Sequence, residues 1–121
     1  MASRRSLQTD AAAFLPLTPT WFHILLTLSE QQTHGYAIRQ AVDARTNGRL
    51  RLWPATLYGS IGNLEDAGLI EEWTLADAPD ALPRRFYKLT RLGLRVLVAE
   101  TERLEGLVRL ARASVGRRRL T

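Results

Sequence analysis

Leu94, Leu97, Thr101, Leu104, Val108, Ala111 and Val115 recur at alternating spacings of three and four. That is the a/d pattern of a heptad seam, sustained here for three heptads. Thr90 stands where a helix cap is wanted, so one helix is expected over residues 90–116. The 22 residues from Leu92 to Ala113 alone would span about 33 Å at the rise of an α-helix. The small domain before it cannot cover such a helix. A second copy of the chain is the expected source of the missing cover.

The chain has 121 residues. That suits one domain with a modest core, and a domain of this size gains stability from oligomerisation. It has no cysteine, which excludes disulfides and thiolate metal sites. No apolar run is long enough to span a bilayer. Residues 1–10 carry two arginines but no apolar stretch of signal-peptide type. A cytoplasmic protein without membrane contact is the expectation.

The net charge is +5 and the pI about 10.7. Of the 17 basic residues only Lys88 is not Arg, and the planar Arg fork binds two phosphate oxygens at once. Charge is segregated. Residues 64–80 hold six acids and no base, whereas Arg84, Arg85, Lys88, Arg91 and Arg95 follow with no acid among them. Residues 109–119 hold five Arg and no acid. Such clustering points to an anionic partner, and a basic surface serving solubility alone is the competing explanation.

Residues 51–69 read RLWPATLYGSIGNLEDAGL. Leu57, Ile61, Leu64 and Ala67 lay one apolar face along a helix. Pro54 suits its first position and Gly68 its stop. The opposite face is small and polar, with Thr56, Ser60 and Asn63 and with Gly59 and Gly62 between them. It suits either a DNA major groove or plain solvent.

The remaining elements read in order. Thr18 and Pro19 start a helix that is apolar on nearly all sides. His34 caps a second, running to about Thr46 and ended by Asn47 and Gly48. Residues 49–53 alternate like a short strand stub, with Glu30 to Thr33 before the second helix as a polar turn. Residues 69–75 and 84–89 read as two strands of a hairpin, with Ile70 and Glu72 on one face and Glu71 and Trp73 on the other. Pro79, Asp77 and Asp80 mark the loop at 76–83. The expected fold class is mainly α with a small β hairpin: a winged helix-turn-helix plus one long C-terminal dimerisation helix. Expected boundaries are a flexible N-terminal arm at 1–15, a DNA-binding domain at 16–89, the dimerisation helix at 90–116 and a basic tail at 117–121.

Three segments, HGYAI at 34–38, WPATLYGSIGNLEDAGLI at 53–70 and RRFYKLTRLG at 84–93, stand in an order and spacing that resemble the PadR family of bacterial transcriptional regulators. The likeness is to its small subgroup with a single C-terminal helix, and covers residues 17–111. It implies a winged-helix homodimer that binds operator DNA, usually as a repressor. By position, the helix at 54–67 would be the recognition helix, with Pro54, Thr56, Tyr58, Ser60 and Asn63 toward the DNA. Arg84, Arg85 and Lys88 on the wing, with Arg49 or Arg51, would meet phosphates. Leu94, Leu97, Thr101, Leu104, Val108 and Ala111 would form the dimer. Similar members often carry Lys or Arg in the middle of the recognition helix, where this chain has Gly59, Ser60, Gly62 and Asn63. Readout would then rest on Thr56, Ser60 and Asn63, or on DNA shape.

Two residues keep two readings each. Tyr58 either reaches a phosphate or packs at the helix edge; Trp53 either wedges the helix start against the core or touches a ligand. Some family members sense small aromatic compounds. The long helix here offers no aromatic wall, so an effector site is expected nearer Phe14, Trp21 and Phe22. His23 and His34 are the only histidines, too few for a metal site at matched spacing. No nucleophile–histidine arrangement and no phosphate-binding glycine loop is present, so no enzyme activity and no cofactor are expected. The alternative to a DNA-binding regulator is a winged-helix module whose basic face binds an acidic protein.

Overall fold

The structure is a computed structural model and describes residues 10–73 and 85–119. The expected loop at 76–83 and Arg84 lie outside the described residues. The elements in chain order are α1 (Pro19–Glu30), β1 (Thr33–His34), α2 (Gly35–Arg45), α3 (Pro54–Asp66), β2 (Ile70–Trp73), β3 (Phe86–Leu89) and α4 (Arg91–Arg119). Among the described residues no helix is long and apolar enough to cross a membrane.

Capping chemistry sets the helix starts. The Thr18 hydroxyl accepts from the Trp21 amide at 3.2 Å, with Pro19 at the first position of α1. His34 Nδ1 accepts from the Ala37 amide at 3.2 Å and opens α2. Each such cap is worth about 1 kcal/mol. Pro54 opens α3 where its missing N–H costs nothing. Gly68, at φ 78, closes it: its amide donates to Glu65 O and the Leu69 amide to Leu64 O, at 2.9 and 3.0 Å. Those two bonds make a Schellman end, and the buried Leu64 and Leu69 side chains supply its apolar contact.

The sheet is antiparallel in the order β1-β3-β2. Thr33 and His34 pair with Tyr87 and Phe86, and Ile70 to Trp73 pair with Leu89 to Phe86. The third strand is thus at 33–34, in the stretch expected to be a turn, and residues 49–53 form no strand. β1 and β2 flank β3, and residues 49–53 pair with neither outer edge. What the alternation at 49–53 does achieve is burial of Leu52, which is 1% exposed.

The core gathers Ile24 and Leu25 of α1, Ile38 and Val42 of α2, and Leu57, Ile61 and Leu64 of α3. Ile70 and Tyr87 of the sheet and Val96 of α4 close it. Residues 10–15 do not belong to a free arm. Residues 10–12 form a helical turn, Ala11 is buried, and Phe14 and Leu15 pack on the core. Glu100, 2% exposed, holds this segment: its carboxylate accepts from the Leu17 amide at 2.6 Å and from Arg103 Nε.

One junction ties α3 to α4. The Thr90 hydroxyl donates to Gly68 O at 2.6 Å and accepts from the Gly93 amide at 3.0 Å, capping α4. The Thr90 amide donates to Leu69 O at 3.1 Å. Gly93 lies against that same carbonyl, so a Cβ placed there would stand 1.9 Å from the oxygen.

α4 runs for 29 residues, about 43 Å. Gly116 does not end it, because it does not take the positive φ by which a glycine stops a helix. The expected basic tail at 117–119 therefore continues the helix.

Two ionisable groups, the half-buried His23 and the buried Glu100, link this fold to pH. Burial, with Arg45 adding to it, holds the His23 pKa below its usual value, and His23 Nδ1 has no hydrogen-bond partner. The Arg103 hydrogen bond outweighs burial at Glu100 and lowers its pKa too. A depressed folded-state pKa contributes stability above the unfolded-state value and loses it as pH falls. His23 therefore acts below about pH 6.5, and Glu100 only below the ordinary carboxylate range. The thermal midpoint is expected to drop between about pH 7.5 and 5.5, and His23→Gln should flatten that drop. A midpoint constant over this range in the unaltered protein would contradict the lowered pKa of His23.

Candidate nucleic-acid interface

α3 seats Leu57, Ile61 and Leu64 inward. Its other side presents Pro54, Thr56, Gly59 and Asn63 as exposed residues, with Ser60 half-buried beside them. A Cβ added at Gly59 or Gly62 would meet nothing within 4 Å. The packing of the chain itself therefore does not ask for glycine at either position. Each costs about 1 kcal/mol of helix stability relative to alanine.

Three aromatic side chains surround the start of α3. Tyr58 is 55% exposed, Tyr36 59% and Trp53 60%. Trp53 is thus no wedge against the core. As the residue before Pro54 it is held extended, at φ −62 and ψ 150, and Leu52 has already taken the inward position. Arg39 lies over the outer Trp53 ring, its guanidinium carbon 5.9 Å from the centroid, within cation–π range. Tyr58 leans on the first residue of α2: a Cβ at Gly35 would stand 3.0 Å from its ring. The helix-edge packing and the exposure of Tyr58 coexist.

Arg49 and Arg51 are exposed in the segment before α3. The wing is different. Lys88 Nζ lies 3.4 Å from Glu71, its direct cross-strand partner, and Arg85 Nε 3.9 Å from Glu72. Two bases and two acids thus cancel on the described part of the wing. Sequence segregates these charges; the antiparallel register brings them together.

The heptad residues divide. Leu97 is 6% exposed and belongs to the domain's own core, not to a free seam. Leu94 is half exposed on the flank of the helix, and Thr101 donates to Leu97 O. Farther along, Leu104, Val108, Ala111 and Val115 are uncovered, and so are Leu107 and Leu110, which the a/d template omits. An α-helix turns by 3.6 residues rather than 3.5, so the apolar face drifts and widens. Phe22 of α1 borders a groove of about 460 Å³ with Thr101, Leu104 and Val108. Phe14, Trp21 and Phe22 all pack against the core, and of the three only Phe22 lines this groove.

Helices α1 to α3, the last with one free polar face, and a three-stranded sheet whose β2–β3 pair follows them define a winged helix-turn-helix protein. Residues 24–99 match the model of the transcriptional regulator PadR-like family, and the chain belongs to that family. It is similar to a PadR family transcription regulator from Clostridium difficile R20291, with a TM-score of 0.68 at 18% identity over 81% of this chain and 99% of that one. Smu.1704 from Streptococcus mutans UA159 gives 0.65 at 25% identity, over 81% and 88%. Bacillus subtilis PadR, solved in complex with operator DNA, gives 0.58 at 23% identity, over 68% of this chain and 46% of that one. No curated protein matches the chain.

Proposed function

We propose that this regulator is a homodimeric repressor that lays the outer face of α3 in the major groove of operator DNA. The observation that carries this reading is the face itself. It is exposed and polar, and it is lined by two glycines that no contact within the chain requires. A close neighbour outside the chain explains them, since glycine lets a helix backbone approach a flat surface. Thr56 and Ser60 sit on the first turns of that face, where a recognition helix meets base edges. Asn63 lies farther along. The uncovered distal face of α4, with the Phe22 groove beside it, supports pairing with a second copy.

The test uses a mobility shift with DNA from upstream of the protein's own gene, against scrambled DNA. Thr56→Ala or Ser60→Ala should cost about 1–3 kcal/mol on the operator and far less on scrambled DNA, if they read bases. Gly59→Leu should abolish both, because a Cβ at this position meets nothing within the chain and the added bulk projects toward the outside surface. Should Thr56→Ala and Ser60→Ala keep full operator preference while Gly59→Leu fails, DNA shape does the reading. A chain that shifts no DNA at all, while capturing an acidic protein, would replace this reading with that of an interaction module.

A further inference from the structure

Tyr36, Arg39, Gln40 and Asp43 of α2 and Arg51 and Trp53 ahead of α3 line one concavity of about 330 Å³. Its chemistry is unlike that of the wing. Neither Arg39 nor Arg51 forms an ion pair among the described residues, whereas Arg85 and Lys88 each face a glutamate. Arg39 is held by a ring rather than by an acid, so its full charge stays available while its plane is fixed. Exposed aromatics interleaved with unpaired arginines match the sugar–phosphate backbone: the rings cover the sugar edge and the guanidinium groups take the phosphate. Asp43 stands one helical turn beyond Arg39 on the same face of α2 and limits the positive zone to the Trp53 end.

We propose that Arg39, stacked on Trp53, and Arg51 form the clamp that grips the DNA backbone beside α3, and that the described part of the wing adds little to it. The proposal rests on the DNA-binding reading above and relocates its electrostatic anchor. Trp53 acts as a positioning residue, through Arg39.

The experiment measures binding of a fluorescent duplex, operator and scrambled in turn, by anisotropy over a range of salt concentrations. Arg39→Gln and Arg51→Gln should each reduce the log–log salt slope by about 0.9 per lost phosphate contact, equally on both duplexes. Arg85→Gln and Lys88→Gln should leave the slope unchanged. Arg39→Lys, which keeps the charge, should retain the slope. Trp53→Leu should weaken binding in the unaltered protein and add nothing in an Arg39→Gln background, a non-additivity that a merely structural role would not produce. Asp43→Asn should strengthen binding to both duplexes. A wild-type slope in Arg39→Gln overturns the clamp and leaves the DNA reading standing, as does a reduced slope confined to Arg85→Gln and Lys88→Gln. Failure of the unaltered chain to bind either duplex at any salt overturns both. Thermal melts of each variant identify any that do not fold, and Arg39→Lys then carries the comparison with Arg51→Gln.

Discussion

Gly93→Ala is expected to lower stability by about 3 kcal/mol, the upper end of overpacking costs. The added methyl would stand 1.9 Å from the Leu69 carbonyl oxygen and 2.9 Å from its carbon. Backbone cannot rotate away as a side-chain tip can. Relief requires α4 to lift off the end of α3, and that strains the Thr90 hydroxyl between Gly68 O and the Gly93 amide. For a chain of this size the midpoint should fall by more than about 10 °C. Gly59→Ala and Gly62→Ala provide the contrast. Both lie in a helix with open space around them, and each should raise stability by about 0.5–1 kcal/mol. Equal midpoints for Gly93→Ala and the unaltered protein would mean that α4 does not start against Leu69.

Leu107→Glu combined with Leu110→Glu is expected to give a folded monomer that no longer binds operator DNA at working concentrations. Within one chain these side chains are 49% and 70% exposed, so the domain loses little when they become charged. In a symmetric pair each change counts twice. Four leucines contribute about 1.5 kcal/mol each at the low end of burial, which makes pairing on the order of 10⁴-fold weaker. Leu97→Glu is the control. It places a charge in the domain's own core, where Leu97 is 6% exposed, and should unfold the chain rather than merely separate copies. Sedimentation and circular dichroism on the three proteins check this. A double variant that sediments as a dimer would exclude the distal face of α4 from the interface.

Local chemistry is what the sequence displays well. Thr18, His34 and Thr90 as caps, Pro54 as a start and Gly68 as a stop each act over three or four residues, and each stands where expected. The strand faces also follow from alternation, with Trp73 and Phe86 in contact on one of them. Features that depend on what comes from far along the chain were not legible. A two-residue strand at Thr33 has no periodicity, and only β3, more than fifty residues on, makes it a strand. Glu71 and Lys88 lie in separate charge blocks until the register places them opposite each other. Glu100 looks like any acid on an exposed helix, and its burial depends on Leu17 arriving from the other end of the chain. In the candidate site, the small polar face of α3 could be read directly from spacing. The outward turn of Trp53 could not, because it depends on Leu52 winning the inward place. The heptad template chose Leu97 over Leu107 and Leu110, since it assumes that every apolar face awaits a partner helix.

The shared hydroxyl of Thr90 has a mechanical consequence. With Gly68 and Gly93 bound to the same oxygen and Gly93 seated on Leu69, α3 and α4 are two arms of one lever whose pivot is Leu69. A movement of α4 that keeps these contacts carries the end of α3 with it. In a pair of copies, the distance and tilt between the two α3 arms are then gauged by how the long helices cross. Half-site spacing on DNA is a matter of that distance. A small molecule wedged between the long helices would change the gauge without touching a residue that reads a base.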